Sequence, residues 1–325
     1  MDVKILAKEI IAGKRLGRRD DLRFFLNCDL NALCAGADLL RQHFCGEKVD
    51  LCTIINGKSG RCSEDCKYCA QSAHHHTECE VYGFLDTESI VRAALAHEKD
   101  GVARFSIVTS GRTLNQQDFE KALGAYRALK KTCKLSLCAS HGFLTAEQFR
   151  RLRESGVQRY HANIETSRRY FPFICSTHTY DQKIETIKLA QKEGLSVCSG
   201  GIIGMGETWE DRLDMAISLA ELGILSIPIN ALTPISGTPL EHLSPLTEED
   251  ILRTIAFFRY INPAAHIRLA AGRKLMKRSG SAAFQSGASA AITGNMLTTT
   301  GATLSGDKLM LTELGRDILP DYYNA

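Results

Sequence analysis

The sequence lacks several features that would assign it to a large functional class. Its 325 residues contain no run of about eighteen apolar residues, the length that a membrane-spanning helix needs. They contain no long basic run, and the net charge is only +3, so composition gives no electrostatic support for binding nucleic acid or a membrane surface. No low-complexity linker is visible. The segment Met1–Lys4 carries an acid and no continuous apolar core follows it, so we expect no signal peptide.

Cysteine, in contrast, is abundant, with twelve residues in the chain. In a secreted protein these would predict disulfides, whereas without a signal peptide they predict metal ligands or reduced thiols in a cytoplasmic protein. Six of them are expected to be ordinary, partly buried thiols: Cys28, Cys34, Cys45, Cys79, Cys133 and Cys175.

Three other cysteines, Cys62, Cys66 and Cys69, are spaced Cys-x3-Cys-x2-Cys, with Tyr68 directly before the last. Three close thiolates can bind three irons of a cubane 4Fe–4S cluster, whereas a closed cluster takes four cysteines. The fourth iron could then hold a cofactor, as open positions do in other metalloenzymes. The alternatives are core thiols or a zinc site, but zinc favours four ligands in paired clusters and no second Cys-x2-Cys pair exists. The motif resembles that of the radical S-adenosylmethionine (SAM) superfamily, in which SAM binds the open iron.

After Asp50, short apolar runs alternate with amphipathic stretches of about ten to fifteen residues, which is typical of repeated βα units. Eight candidate strands are Leu51–Asn56, Arg104–Thr109, Lys134–Ala139, Arg159–Asn163, Ser196–Gly200, Ile224–Asn230, His266–Ala270 and Ala288–Ile292. The pattern predicts an α/β fold, a TIM-type (β/α)8 barrel over residues 51–296. An N-terminal helical extension occupies residues 1–50, and residues 297–325 form a tail that is either flexible or covers one end of the barrel. The cysteine motif follows the first strand, where such barrels carry their chemistry.

Two more segments place polar or flexible residues at expected strand ends. Asn163 and Glu165 are two positions apart, so both side chains can face the barrel mouth. The glycine-rich segment Gly200–Glu207 ends one strand and opens a helix, where backbone can approach a ligand closely. The alternatives are a polar strand end that faces water and a tight turn that binds nothing.

Together these motifs resemble the biotin synthases over about Leu51 to Thr299. The segments that carry the resemblance are Lys58–Gly60, Tyr68–Ser72, Tyr160–Ser167, Val197–Thr208, Pro228–Asn230, Gly237–Leu240 and Ile267–Arg273. The resemblance implies a sulfurtransferase that converts dethiobiotin to biotin, with a 5′-deoxyadenosyl radical abstracting hydrogen from two saturated carbons. Neither carbon is acidic or electrophilic, so no side chain is expected to act as catalytic acid or base, and the cofactors carry the chemistry.

The resemblance also implies roles for individual residues. The cluster and SAM would be bound by Cys62, Cys66, Cys69, Tyr68, Glu165, Lys183, Gly201, Gly204, Gly206 and Glu207. Dethiobiotin would contact Asn163 and Asn230. Glu165 stands where the family usually has Asp, and Lys183 where it often has Arg. The implied partners are a flavodoxin- or ferredoxin-type electron donor, cluster-repair proteins and a second copy in a homodimer.

An auxiliary cluster, implied as the sulfur donor, is where the sequence departs from the family. The best-known members bind a 2Fe–2S cluster with three strand cysteines and an arginine. Cys138, Cys198 and Arg268 match this set, but Ser106 stands at the second-strand position. Because serine is a poorer iron ligand than a thiolate, we expect Cys52 on the first strand to replace it, in a 2Fe–2S cluster or a cubane variant. The alternative is that Cys52 is a core residue and the auxiliary cluster is absent.

Two other functions remain open from the sequence. One is another radical SAM enzyme of the same branch, such as a hydrogenase-cluster maturase or a methylornithine synthase. The other is a non-catalytic iron–sulfur electron carrier, which would need a closed cluster and no glycine-rich strand end. The set Cys138, Cys198 and Arg268, with the segment Tyr160–Thr166, favours biotin synthase.

Overall fold

The fold is taken from a computed structural model that describes residues 2–299 and 301–318. Within these residues the strands are β1 (Lys48–Lys58), β2 (Arg104–Thr109), β3 (Ser136–Ser140), β4 (Val157–His161), β5 (Ser196–Cys198), β6 (Gly201–Ile203), β7 (Ser226–Ala231), β8 (His266–Leu269), β9 (Ala290–Ile292) and β10 (Asp317–Ile318). The helices are α1 (Val3–Ile11), α2 (Phe24–Asn27), α3 (Leu30–Cys45), α4 (Thr87–Lys99), α5 (Gln116–Thr132), α6 (Ala146–Glu154), α7 (Phe171–Ile174), α8 (Tyr180–Lys192), α9 (Trp209–Glu221), α10 (Glu248–Ile261), α11 (Ser281–Phe284) and α12 (Leu304–Glu313). Short 3-10 turns occupy Arg273–Leu275 and Lys277–Gly280.

Eight parallel strands close into a barrel in the order β1-β2-β3-β4-β5-β7-β8-β9. The ring closes where β9 pairs with β1, with Asp50 beside Ala290 and Cys52 beside Ile292. Helices α4, α5, α6, α8, α9 and α10 connect successive strands, and α1–α3 precede the barrel. The predicted TIM-type barrel with its N-terminal helices is confirmed. None of the described helices has the length and apolar character needed to cross a membrane.

Side-chain caps set where the barrel helices begin. Four of them begin with a reciprocal pair of hydrogen bonds. The N-cap threonine hydroxyl accepts from the backbone N–H three residues later, and the side chain of that later residue accepts from the threonine N–H. The N-cap residues are Thr145, Thr179, Thr208 and Thr247. After α6 and α8 the chain turns at Gly156 and Gly194, whose φ angles are +108° and +83°. Local sequence therefore fixes the loops that present the site.

The fifth strand differs from the prediction of one run over Ser196–Gly200. The strand β5 ends at Cys198, and β6 resumes at Gly201 beside β7. At Gly200 the chain passes so close to β7 that a Cβ would lie 1.9 Å from the Pro228 carbonyl oxygen. The Gly200 N–H donates to the Asn163 side-chain oxygen at 3.0 Å. At the break between β5 and β6, a polar side chain at the barrel mouth therefore accepts a backbone hydrogen bond.

The described part of the C-terminal tail packs on the barrel. Residues 297–299 lie at the barrel mouth, and α12 is held by a buried pair in which Arg273 Nη1 donates to Asp307 at 2.9 Å. At the other end, β10 pairs in parallel with Lys48 and Val49 of β1. Thr300 and residues 319–325 of the predicted tail lie outside the described residues.

Candidate active site

A cavity of about 370 Å³ opens at the carboxyl ends of the barrel strands. Residues 296–299 of the chain after β9 form part of its wall. Eleven of the residues predicted from sequence line it: Cys52, Tyr68, Cys69, Ser106, Cys138, Asn163, Glu165, Lys183, Cys198, Asn230 and Arg268. One continuous space therefore borders both predicted cluster sites.

The motif cysteines lie on the loop after β1, each partly buried with a free thiol. The loop folds back on itself because the Cys62 N–H donates to the Gln71 carbonyl at 2.9 Å and the Ala73 N–H to the Cys62 carbonyl at 2.8 Å. Within it, the Cys69 N–H donates to the Cys66 carbonyl at 2.9 Å. Three thiols on one compact turn, with Cys69 on the cavity wall, are a donor set that fits a cubane cluster.

Glu165 projects into the cavity from a left-handed backbone, with φ at +70°. A non-glycine residue rarely adopts this conformation, which costs of order 1–3 kcal/mol. It is braced on both sides, since the Glu165 N–H donates to Gly200 at 3.1 Å and its carbonyl accepts from Ile202 at 2.8 Å. At Gly201 a Cβ would lie 2.2 Å from that carbonyl oxygen. The result is a carboxylate held 3.8 Å from the Lys183 ammonium.

The two predicted substrate contacts, Asn163 and Asn230, also brace the wall. Besides the Gly200 contact of Asn163, the Asn230 amide nitrogen donates to the Gly201 carbonyl at 3.0 Å and its oxygen accepts from the Ala271 N–H at 3.1 Å. An amide offers two N–H donors and an oxygen with two lone pairs. Both amides can therefore form hydrogen bonds to a ligand and keep their hydrogen bonds to the backbone.

The glycine-rich turn connects β6 to α9, so this segment ends a strand and precedes a helix as predicted. Gly204 and Gly206 have φ angles of +91° and +101°, but neither lines the cavity. The Glu207 carboxylate accepts from the N–H groups of Gly204 at 2.8 Å and Met205 at 2.7 Å, and it pairs with Arg212 at 2.7 Å. The Glu207 oxygens thus stabilise the turn, and the contact of Glu207 with the cofactor stays a prediction.

Asp211 ties this turn to the loop after β4. Its carboxylate accepts from the Ser167 hydroxyl at 2.6 Å, the Thr208 N–H at 2.8 Å and the Arg169 guanidinium at 2.9 Å. Burial raises the pKa of Asp211, but the hydrogen bonds from Arg169, Ser167 and Thr208 outweigh it and lower the pKa to about 2. The contact stabilises the wall only while this group is ionised.

Three buried thiols, Cys52, Cys138 and Cys198, line the inner part of the cavity. In the strand register Cys52 lies beside Arg104, whereas Ser106 lies beside Cys138. Successive inward residues of a strand are about 6.6 Å apart. Cys52 is therefore on the strand next to that of Ser106, and it lies one inward-facing position closer to the amino end of the barrel.

The same three thiols differ in their electrostatic surroundings. Burial raises the pKa of Cys52 and of Cys138 above the ordinary thiol range. Burial acts in the same direction on Cys198, but its hydrogen bond with His161 and the nearby charge of Arg268 lower the pKa of Cys198 to about 6. Among the three, Cys198 is the thiol best prepared to act as a thiolate ligand.

A buried charge cluster next to these thiols was not predicted from the sequence. Arg268 donates to the Asp50 carboxylate at 2.5 Å, and Arg104 and Arg159 lie 3.9 Å and 3.7 Å from it. Burial alone would raise the pKa of Asp50, but the three arginines hold it well below its ordinary range. Three cations around one carboxylate suit an anionic occupant. The available signal was the two-residue spacing that places Asp50 and Arg104 on the inward faces of β1 and β2.

A second missed feature lies behind the cysteine loop. Cys175 Sγ is 3.7 Å from Cys66 Sγ and 3.2 Å from His178 Nδ1, and that nitrogen is 2.6 Å from a Glu64 oxygen. Cys175, expected to be an ordinary thiol, is thus buried against a predicted cluster ligand. No spacing pattern could show this, because Cys66 and Cys175 are 109 positions apart.

Comparison with known proteins gives two family matches. The Radical SAM superfamily matches residues 58–219, and the Biotin and Thiamin Synthesis associated domain matches residues 228–317. A biotin synthase of Alkaliphilus metalliredigens (strain QYMF) is 61% identical over 97% of this chain and 99% of its own length. One of Clostridium beijerinckii is 61% identical over 96% of this chain and 99% of its own length.

The chain belongs to the biotin synthase family. Biotin synthases are radical SAM sulfurtransferases, so the family prediction is confirmed and the electron-carrier alternative falls. Membership implies a 4Fe–4S cluster and SAM as cofactors and dethiobiotin as substrate.

Solved structures agree with the barrel. A methylornithine synthase has a TM-score of 0.83 at 17% identity, with 97% of each chain covered. The hydrogenase maturase HydG has a TM-score of 0.81 at 15% identity, with 97% of this chain and 74% of its own covered. At these identities the likeness shows a shared fold, and the biotin synthase assignment comes from the sequence relatives.

Proposed function

We propose that this chain inserts sulfur into dethiobiotin within the cavity at the barrel mouth. The observation that carries the proposal is that one cavity borders Cys69 of the motif loop and the buried thiols Cys52, Cys138 and Cys198. A substrate held in this space would lie between both sets of thiols.

The thiols Cys62, Cys66 and Cys69 would hold the 4Fe–4S cluster, with SAM at its open iron. When bound, this group supplies the electron that cleaves SAM to the hydrogen-abstracting radical, and an auxiliary cluster supplies the sulfur. The chain's own residues bind and orient. The Glu165 carboxylate suits a ribose hydroxyl, and Lys183, 3.8 Å away, suits the SAM carboxylate.

Substrate binding falls to Asn163 and Asn230. Their amides line the cavity and are fixed by backbone hydrogen bonds, which supports a preorganised contact to the cyclic urea of dethiobiotin. Tyr68 is half-buried and lines the cavity next to Cys69, a position from which its ring could pack against SAM. The predicted cofactor contact of Gly201 is supported by its position beside Asn230, whose amide donates to the Gly201 carbonyl at 3.0 Å.

Anaerobic reconstitution with iron, sulfide, SAM and a reductant tests this function. The wild type should form 5′-deoxyadenosine, and biotin should form when dethiobiotin is added. Cys69→Ala should form neither product, whereas Cys133→Ala, a matched thiol at the end of α5, should match the wild type. SAM cleavage by Cys69→Ala at the wild-type rate would reject the cluster assignment. Wild-type SAM cleavage without biotin would reject the substrate.

We also propose that Cys52 joins Cys138, Cys198 and Arg268 at the auxiliary cluster in place of Ser106. The support is that Cys52 is buried and lines the same cavity as Cys138, Cys198 and Arg268. Its step toward the amino end of the barrel favours a larger cluster, such as a cubane variant, over the 2Fe–2S form.

Cys52→Ser should lose auxiliary iron and sulfide while the motif cluster still cleaves SAM, and it should make no biotin. Ser106→Ala should retain both clusters. Iron and sulfide counts, Mössbauer spectra and biotin yield separate the two variants. A full auxiliary cluster and normal biotin yield in Cys52→Ser would reject the relocation.

The partners, oligomeric state and location are proposed from the family. The proposed partners are a flavodoxin- or ferredoxin-type electron donor and cluster-repair proteins. The proposed oligomeric state is a homodimer, and the proposed location is the cytoplasm. Twelve free thiols fit a reducing compartment. Replacing the chemical reductant with reduced flavodoxin or ferredoxin tests the donor, and sedimentation of the full chain tests the dimer.

A further inference from the structure

Three metal-ligating side chains meet behind the cysteine loop, in a cluster that we name the rear site: Cys66, Cys175 and His178. Cys66 belongs to the predicted 4Fe–4S set, while Cys175 and His178 follow α7. One ligand atom from each of the three lies within 4.8 Å of the other two. Neither SAM nor dethiobiotin binding, as proposed above, uses Cys175 or His178.

Two distances in the rear site match those around one tetrahedral cation. Two thiolates, each about 2.3 Å from a tetrahedral Zn²⁺, lie about 3.8 Å apart, and a thiolate and an imidazole nitrogen lie about 3.5 Å apart. Cys66 Sγ and Cys175 Sγ are 3.7 Å apart, and Cys175 Sγ is 3.8 Å from His178 Nε2. Small side-chain adjustments would complete the geometry.

A carboxylate also orients the imidazole. Glu64 lies 2.6 Å from His178 Nδ1, which makes Nδ1 the protonated nitrogen and leaves the Nε2 lone pair for a metal. Glu64 is itself held by Arg112 at 3.1 Å and by the Thr177 hydroxyl at 2.9 Å. Metal-binding histidines commonly have such a carboxylate partner, and here it is buried and already in place.

A candidate for the fourth position lies beside the two thiols. An Asp65 carboxylate oxygen is 3.2 Å from Cys175 Sγ and is fixed by the Ser176 N–H at 2.9 Å. Two thiolates, one imidazole and a carboxylate or water are a donor set that favours zinc over magnesium or calcium.

We propose that the rear site binds one Zn²⁺ ion in the chain that has not yet assembled its 4Fe–4S cluster. As a terminal ligand, the Cys66 thiolate binds either a zinc ion at the rear site or an iron of the cluster. Zinc at the rear site and the cluster therefore exclude one another, and Cys175 with His178 makes cluster assembly in this chain sensitive to zinc.

Titration of the full-length chain, prepared without iron under anaerobic conditions, tests the proposal with Co²⁺ as the optical probe. The wild type should bind one tight equivalent with thiolate-to-cobalt and tetrahedral d–d absorption, and Zn²⁺ should displace it. Cys175→Ala and His178→Gln should weaken binding by more than about 100-fold, and Glu64→Gln by about 10- to 100-fold. Cys62→Ala is the matched control, because it removes a motif thiol outside the rear site and should bind Co²⁺ like the wild type.

Two outcomes of the titration would overturn the proposal. Unchanged affinity in Cys175→Ala with loss in Cys62→Ala would put the cation on the motif thiols. Oxidation of Cys66 and Cys175 to a disulfide in the anaerobic metal-free chain, seen as two missing thiols, would leave no ligand pair.

Cluster assembly gives a second measurement that does not depend on biotin formation. Addition of one equivalent of Zn²⁺ before iron and sulfide should slow the rise of cluster absorbance in the wild type by at least tenfold and leave the rate in Cys175→Ser unchanged. Equal slowing in both proteins would refute the exclusion. Because neither measurement uses dethiobiotin, failure here is distinct from failure of the proposed activity.

Discussion

Replacing Asp50 with Asn removes the carboxylate shared by Arg268, Arg104 and Arg159 with almost no change in side-chain shape. Asp50 is only 5% exposed, and Arg268 and Arg104 are each 2% exposed, so water cannot take over its role. Removing one partner of a buried ion pair typically costs about 3–5 kcal/mol because the remaining charge is uncompensated. Asp50→Asn should therefore destabilise the barrel by about this amount.

That cost corresponds to a measurable change in melting temperature. Unfolding entropy of about 2.1 cal/mol/K per residue gives about 0.7 kcal/mol/K for 325 residues, so the melting temperature should fall by about 4–7 °C. Differential scanning calorimetry of the metal-free chain measures it. Asp21→Asn, at an exposed carboxylate paired with Arg23, is the matched control and should leave the melting temperature unchanged. A fall below about 1 °C in Asp50→Asn would refute the view that this carboxylate balances the buried arginines.

Three further results are expected. Asn163→Ala should weaken dethiobiotin binding in the presence of SAM by roughly one to two decades, since an unpaired buried partner costs about 1–3 kcal/mol; unchanged affinity in equilibrium binding would remove Asn163 from the substrate shell. Gly200→Ala should lower the melting temperature sharply because its Cβ would lie 1.9 Å from the Pro228 oxygen, whereas Gly124→Ala in α5, with open space around its Cβ, should raise it slightly; equal effects would contradict the close packing of Gly200 on β7. The pKa of Asp211 is lowered to about 2, so its contribution to folding stability is complete above the ordinary carboxyl pKa and is lost as the pH falls toward 2. The difference in unfolding free energy between the wild type and Asp211→Asn should therefore shrink from pH 5 to pH 2. A difference that stayed constant would show that the ionised Asp211 carboxylate does not stabilise the fold.

The barrel could be predicted because its strands and helices are specified locally. The strand over Arg104–Thr109 was predicted with its observed ends, and the capping residues after Thr145 mark the start of α6. The break between β5 and β6 could not be predicted from local sequence. It depends on the approach of Gly200 to Pro228, a contact between strands that no short window contains.

The site was predictable where one strand end or one loop carries the ligands, as with Cys62–Cys69. It was not predictable where distant segments meet. Cys175 looked like any isolated thiol, and only the fold brings it to Cys66. Local sequence was also insufficient for Glu207. The glycine spacing predicts a tight turn, but it does not predict that the Glu207 carboxylate accepts hydrogen bonds from that turn.

The pairing of β10 with the start of β1 has a consequence for how separate molecules meet. Along β1, Asp50–Cys52 pair with β9, while Lys48 and Val49 pair with β10. Without β10 those two residues would offer unpaired N–H and C=O groups at a sheet edge, which is a common starting point for intermolecular strand pairing. A chain cut before Arg316 should keep its barrel yet aggregate more readily, so the short strand at Asp317–Ile318 shields the barrel from its neighbours.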